Sequence, residues 1–307
     1  MTHRIGIIGA GDISRKTYLP LLAKRGDCEL AAICGKTTGP ASELATEYGI
    51  KHVYDDVNEL LARGDIDTVF ICTPTETHFT IAKAALKQGK NILIEKPLTA
   101  IYADDVSLLK LARSQPKTFY VAFNNSFREE NQWLSRQVQA ESMGHVQMIN
   151  LDWYRAMPFT SGGVLMHLGA KLLHFALGLL PDRRSFTATC QNLRRCDVSN
   201  SGEATSISTI VIDESVSINM RLGWDMELSA GSRVDLDIFC KKGQVSNCEF
   251  KGDQSDGYGI MIGEFLERCA SGKIMKLDLL EDTAAVVDAL YRSDREQATV
   301  TDKFVLA

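Results

Sequence analysis

The sequence predicts an α/β protein in two parts, a parallel-sheet domain followed by an α/β domain with a mainly antiparallel sheet. Up to residue 122, short unbroken apolar runs at 5–8, 30–34, 68–72, 91–94 and 119–122 alternate with helical stretches. Strands buried on both faces have this pattern, and strand–helix alternation implies a parallel sheet. Beyond residue 123 the period falls to two. Val216, Ile218, Met220 and Leu222 alternate with Ser217, Asn219 and Arg221, and Val234, Leu236, Ile238 and Cys240 alternate with Asp235, Asp237 and Phe239. This is the pattern of an antiparallel sheet with one buried face. The change of period places the domains at 1–122 and 123–307.

The elements follow in order. In the first part Gly89 closes a helix over 77–88, Asp104 and Asp105 open the next, and Pro20 is expected to kink the first. In the second part, further strands are expected at 146–154, 186–193 and 204–212, with turns at Asp213-Glu214 and Lys241-Lys242-Gly243. Helices are expected at 164–179, 258–271 and 279–293.

A chain of 307 residues, 45% hydrophobic, has ample apolar material for two cores. Its net charge of -5, without a long basic run, gives no electrostatic footprint for nucleic acid or an anionic membrane, so a small molecule is the expected partner. Eight cysteines without a Cys-x-x-Cys read as reduced residues and not as a disulfide frame or zinc site. A strand begins almost at the amino terminus and leaves no room for a signal peptide, so a cytoplasmic protein is expected. The apolar stretch 164–180 is interrupted by His167, Lys171 and His174, too polar for a membrane span.

Two segments carry chemistry. Gly9-Ala10-Gly11-Asp12-Ile13-Ser14 runs from a buried strand into a helix, with Gly9 and Gly11 in the first two glycine positions of a dinucleotide fingerprint and Ser14 in the third. Gly9 permits the tight turn, and Gly11 lets backbone approach a pyrophosphate at the helix amino terminus. Ser14 in place of glycine is expected to loosen helix–strand packing slightly. After the second strand, Gly35-Lys36-Thr37-Thr38 offers a cation and hydroxyls where an NAD site offers a carboxylate, which favours NADP; the alternative is a solvated loop lysine. Thr73 and Pro74 close another buried strand and are cofactor neighbours by position. His78, just beyond, fits either a cofactor neighbour or a water-facing first turn. Glu95-Lys96-Pro97 then follows the buried run 91–94. A lysine there sits where ligands of open α/β sheets bind, with Glu95 able to hold its charge and a cis Lys96-Pro97 bond able to aim it.

Gly9-Ala10-Gly11, Thr73-Pro74 with His78, Gly89-Lys90, Glu95-Lys96-Pro97, Phe123-Asn124 and Gly162-Gly163 together resemble the Gfo/Idh/MocA oxidoreductase family (glucose-fructose oxidoreductase, inositol dehydrogenase and MocA) across nearly the whole chain. The resemblance implies an amino-terminal Rossmann domain and a carboxy-terminal α/β domain with an open antiparallel sheet. It also implies a nicotinamide cofactor with Lys96 near its ring, and dimers or tetramers built through that sheet. Three family positions differ. His167 stands in the place of an aspartate, Lys171 in that of the acid/base histidine, and His174 in that of a second aspartate.

On a helix, 167, 171 and 174 share one face, a polar stripe on an otherwise apolar surface. The stripe faces a cavity, a partner or solvent, or else its histidines are satisfied core residues. A metal site is disfavoured, because Lys171 between the two histidines repels a cation. Lys96, Lys171, His167 and His174 are therefore the catalytic candidates, with Tyr154 a weaker one. The expected function is an NADP-dependent oxidoreductase, working as a reductase on a sugar-like or other small carbonyl or hydroxyl compound. The alternatives are a non-catalytic nicotinamide-binding sensor or scaffold, and an imine reductase of a biosynthetic pathway.

Overall fold

The computed structural model describes residues 2–140, 142–156, 163–193, 202–224, 232–252, 256–273 and 276–304. Gly162 and Cys196 lie outside the described residues. The chain forms two compact units, Met1–Phe123 with Tyr258–Leu277, and Asn124–Gly257 with Asp278–Ala307.

The first unit is built on a six-stranded, all-parallel sheet of β1 (His3–Ile8), β2 (Cys28–Cys34), β3 (His52–Tyr54), β4 (Thr68–Ile71), β5 (Asn91–Ile94) and β6 (Phe119–Val121), in the order β3-β2-β1-β4-β5-β6. Strands β4, β5 and β6 are buried along their whole length, as their unbroken apolar runs require. Helices α1 (Leu19–Leu22), α2 (Thr38–Tyr48), α3 (Val57–Leu61), α4 (His78–Lys87) and α5 (Tyr102–Arg113) connect them. Pro20 sits at the start of α1, directly after a π turn over Ser14–Tyr18 that the Leu19 N–H closes on the Ser14 carbonyl. The wider turn places the proline where no N–H is needed, so the expected kink takes the form of a π turn.

A single boundary at 122/123 does not anticipate the return of the chain to this unit at Tyr258. Helix α8 (Tyr258–Ser271) is held there by edge-on aromatic contacts: Tyr258 with Tyr18 at 5.6 Å, and Phe265 with Phe70 at 5.7 Å. Such pairs contribute roughly 0.5–1.5 kcal/mol beyond area burial.

The second unit carries a seven-stranded sheet of β7 (Val146–Arg155), β8 (Ser185–Leu193), β9 (Thr205–Ile212), β10 (Val216–Trp224), β11 (Ser232–Cys240), β12 (Gly243–Ser246) and β13 (Val300–Lys303), in the order β12-β11-β7-β10-β9-β8-β13. All pairings are antiparallel except β7 with β10, which the period-two signal does not distinguish. Asp213 and Glu214 turn β9 into β10 with φ of 46° and 55°, the left-handed pair at the centre of a tight turn that the Ser215 N–H closes on the Ile212 carbonyl at 3.0 Å. Helices α6 (Glu129–Val138), α7 (Ala170–Gly178) and α9 (Asp278–Glu296) complete the unit. The first of these helices was not expected from the pattern. Among the described residues no helix is long and apolar enough to cross a membrane.

Candidate functional site

The carboxyl ends of four neighbouring strands, β2, β1, β4 and β5, bring together the segments singled out in the first half of the sequence. Backbone bonds fix them side by side: Gly9 N–H to the Cys34 carbonyl at 2.8 Å, and Cys72 N–H to the Ile8 carbonyl at 2.7 Å. Gly9 has φ of +109°, and a Cβ there would lie 2.6 Å from the Cys72 carbonyl oxygen, so only glycine fits. Gly11 is exposed, and a Cβ on it would meet nothing within 4 Å. This open approach onto backbone at the start of a helix fits the pyrophosphate of a dinucleotide.

Ser14 departs from the expectation of loosened packing. Its side chain is fully buried, and its hydroxyl donates to the Gly9 carbonyl at 2.5 Å, so the third position ties the helix back to the turn. Asp12 is exposed and paired with Lys16 at 2.7 Å, a hydrogen bond that lowers its carboxyl below the usual range. Ala10 and Ile13 are half-buried beside it. A Cβ on Gly35 would lie 3.2 Å from the Cβ atoms of Ala10 and Ala41, and Lys36 and Thr37, both exposed, stand at the end of β2 where α2 begins.

At the end of β5, Lys96 is half-buried and the Lys96-Pro97 peptide is cis. Glu95 has partners beyond its neighbour in sequence. Its carboxylate is buried and accepts from Tyr18 Oη at 2.7 Å, Tyr258 Oη at 3.2 Å and the backbone N–H of Lys96 at 3.1 Å. Burial and the Glu95 charge push the Tyr18 hydroxyl well above its ordinary range, so it stays a donor. Glu95 is thus an internal anchor for the Lys96 backbone. Tyr18 and Tyr258 were missed in the sequence because each lies on an apolar helix face where a tyrosine reads as core.

His78 is a second correction. It is 1% exposed, with Nδ1 at 2.9 Å from the Pro97 carbonyl oxygen and Nε2 at 2.8 Å from that of Thr73. Both ring nitrogens face the chain's own backbone, so His78 joins the Thr73-Pro74 and Pro97-Leu98 loops, and neither faces a cofactor or water. Thr73 is half-buried and Pro74 exposed at that edge. Lys90 is also turned inward, donating to the Arg63 and Ile66 carbonyls at 2.7 Å each. Asp105, in the first turn of α5, has its carboxyl pushed up to about 7 by burial, with hydrogen bonds from Thr99 opposing the shift.

In the second unit the polar stripe divides. A π turn over Leu165–Gly169 precedes α7 and changes the angular spacing between 167 and 171. The imidazole of His167 lies 5.5 Å from the Trp224 ring, and the Lys171 ammonium lies 5.7 Å from that of Trp153. His174 is the core histidine of the alternative reading. It is buried, with Nδ1 at 3.2 Å from Thr283 Oγ1, and burial together with the Arg183 charge holds its imidazole near a pKa of about 3. A group this strongly held neutral is no acid near neutral pH. Tyr154 follows Trp153 in β7, so strand alternation turns it to the face opposite Lys171.

With the glycine turn, the cationic loop after β2 and Lys96 on one edge of a parallel sheet, the comparison with known proteins is direct. Residues 3–123 match the GFO_IDH_MocA family, described as an oxidoreductase family with an NAD-binding Rossmann fold. These residues belong to the Gfo/Idh/MocA family. The chain is 28% identical to dTDP-3,4-didehydro-2,6-dideoxy-alpha-D-glucose 3-reductase of Streptomyces antibioticus, over 65% of this chain and 63% of the relative. It is 25% identical to D-xylose 1-dehydrogenase (NADP(+)) 2 of Haloferax volcanii, over 96% of this chain and 98% of the relative. With three of its curated relatives the match spans 46%, 63% and 54% of the relative's length, about half. Among solved structures, GenD2 from gentamicin A biosynthesis, in complex with NAD, superposes with a TM-score of 0.87 at 18% identity, covering 99% of this chain and 97% of that one. At that identity the likeness is one of fold.

Proposed function

We propose that this chain is an NAD(P)-dependent oxidoreductase that moves hydride between the nicotinamide and a carbonyl or hydroxyl carbon of a sugar-like or other small compound. NADP is the preferred cofactor and reduction the working direction. The observation that carries this reading is the assembly of Gly9, Gly11, Lys36, Thr73 and Lys96 along the carboxyl ends of four adjacent strands. Gly9 to Ile13 would hold the pyrophosphate, and Gly35 to Thr37, which has a cation and no carboxylate, would meet the adenosine ribose and its 2′-phosphate. The Haloferax relative, named for NADP(+), and the Streptomyces relative, named a reductase, support the same choices.

When bound, the nicotinamide supplies or accepts the hydride. Lys96 polarises the reacting oxygen and donates its proton, held in place by its Glu95-anchored backbone. His167 and Lys171 are the second unit's candidates for proton exchange, and His174 and Tyr154 are not. Copies of the chain would pair through the outer face of the seven-stranded sheet, where Ile207 is half-exposed.

NADPH oxidation across a panel of keto-sugars, aldehydes and imines tests the proposal, with turnover expected on at least one member and lost in Lys96→Ala. Tight NADPH binding with no turnover anywhere on the panel would instead support a nicotinamide-binding sensor. That second reading is favoured by one observation, the core role of His174 at a position where the family resemblance implies an aspartate.

A further inference from the structure

The helical segment that carries His167 and Lys171 begins against a group that its own sequence does not contain. Glu203, just before β9, is 4% exposed, and its Oε1 accepts from the Leu165 N–H at 2.9 Å and from Tyr291 Oη at 2.9 Å. Of the amino-terminal N–H groups that a helix cannot satisfy internally, two are taken up by Glu203. Val164 donates to the Glu203 backbone carbonyl at 2.9 Å and Leu165 to the Glu203 carboxylate, and the His167 N–H makes a helical bond to the Gly163 carbonyl at 3.2 Å. A carboxylate at this end also opposes the positive pole of the helix. Burial and the Glu203 charge raise the Tyr291 hydroxyl above its ordinary range, so it remains a donor to the carboxylate.

The same carboxylate explains Gly163. A Cβ at that position would fall 1.7 Å from Glu203 Oε2, so any side chain would displace the carboxylate. At the other end of the π turn, a Cβ on Gly169 would stand 2.9 Å from Leu222 Cδ1 of β10. The turn that carries His167 is therefore gripped at its start by Glu203 and Tyr291 and at its end by the sheet. With both ends fixed, His167 stands against Trp224 and Lys171 over Trp153.

We infer that Glu203 and Tyr291 are positioning residues that hold His167 and Lys171 in place, with Gly163 kept small to admit the carboxylate. The inference rests on the reading that this helix face acts in the reaction, and it has a readout that does not depend on turnover. The chain contains three tryptophans, so fluorotryptophan labelling of the full chain gives three 19F resonances, assigned by single Trp→Phe variants. The Trp224 resonance is expected to move as His167 takes up a proton, and to stop moving in His167→Gln.

Glu203→Ala is expected to abolish that movement and shift the Trp153 resonance, with the circular dichroism of the fold retained. Glu203→Gln, which still accepts from Leu165, is expected to restore both. Tyr291→Phe is expected to reduce the movement at least twofold, and it decides the question if Glu203→Ala does not fold. An unchanged Trp224 titration in Tyr291→Phe and in a folded Glu203→Ala overturns the inference. If the unaltered protein turns over no compound but the titration is lost as described, the positioning role stands and the proposed reaction fails. If turnover occurs and the titration persists in the variants, the positioning role fails alone.

Discussion

The carboxyl edge of the parallel sheet and the helix over 165–178 each present polar residues on an apolar frame, yet they differ in how far the frame decides their placement. At the sheet edge, Gly9, Gly35, Thr73 and Glu95 each follow the last residue of a strand by one or two positions, and the parallel order of β2, β1, β4 and β5 brings those ends together. Topology alone places them. On the helix, His167, Lys171 and His174 share a face only while the helix is regular, and a π turn with three different tertiary neighbours gives them different environments. A strand end is a location, whereas a helix face acquires its meaning from what packs on it.

The sharpest way to break this contrast is Lys96→Ala. Loss of a general acid is expected to lower turnover by about 10²–10⁴-fold. NADPH affinity, measured by fluorescence titration, is expected to stay within a few-fold, because the glycine turn is untouched. A large loss of affinity with unchanged turnover would move Lys96 from chemistry to binding.

Lys36→Ala comes next. A charge-assisted bond contributes roughly 1.5–3 kcal/mol, so NADPH binding is expected to weaken about 10–100-fold while NADH binding changes little. Equal effects on the two cofactors would return Lys36 to the status of a solvated loop charge.

His174 tests the other side of the comparison. Its imidazole is held near about 3 in the folded chain against an ordinary value of 6.5. Its contribution is therefore complete above pH 6.5 and is lost as pH falls toward 3. At pH 5 the loss amounts to about 2 kcal/mol. His174→Leu is expected to flatten this acid dependence of the melting temperature and to leave turnover near wild type. A selective loss of turnover would restore the residue to the reaction.

The last effect, at Asp105, is expected in stability alone. Burial raises its carboxyl from an ordinary 3.8 to about 7, so its contribution is intact below pH 3.8 and lost as pH rises through 7. Asp105→Asn is expected to raise the melting temperature at pH 8, with a gain of up to about 4 kcal/mol from the relieved carboxylate, and to change little at pH 4. Equal shifts at both pH values would mean that Asp105 is charged in the fold throughout.

The residues show why the first unit was legible in sequence and the second less so. Buried parallel strands announce themselves as unbroken apolar runs, and the glycines at 9 and 11 mark the turn that follows the first. What the sequence does not carry is the long-range partner. His78 was ambiguous because the two carbonyls that receive its ring belong to loops 5 and 19 residues away. Glu95 reads in the sequence as the partner of Lys96, and nothing there shows that Tyr258, 163 residues on, also donates to it. Glu203 left only an indirect trace, a glycine at 163 with no turn to account for it. The return of α8 to the first unit was equally hidden, since an amphipathic helix does not name the sheet it covers.

Central to the proposed function is the carboxyl edge of the six-stranded sheet as a site for NADP. A crystal structure of the full chain with NADPH tests this directly. The predicted result is pyrophosphate over Gly11, the 2′-phosphate within hydrogen-bonding reach of Lys36 and the nicotinamide beside Lys96. Dinucleotide bound elsewhere on the chain, or a 2′-phosphate turned away from Lys36, would contradict it.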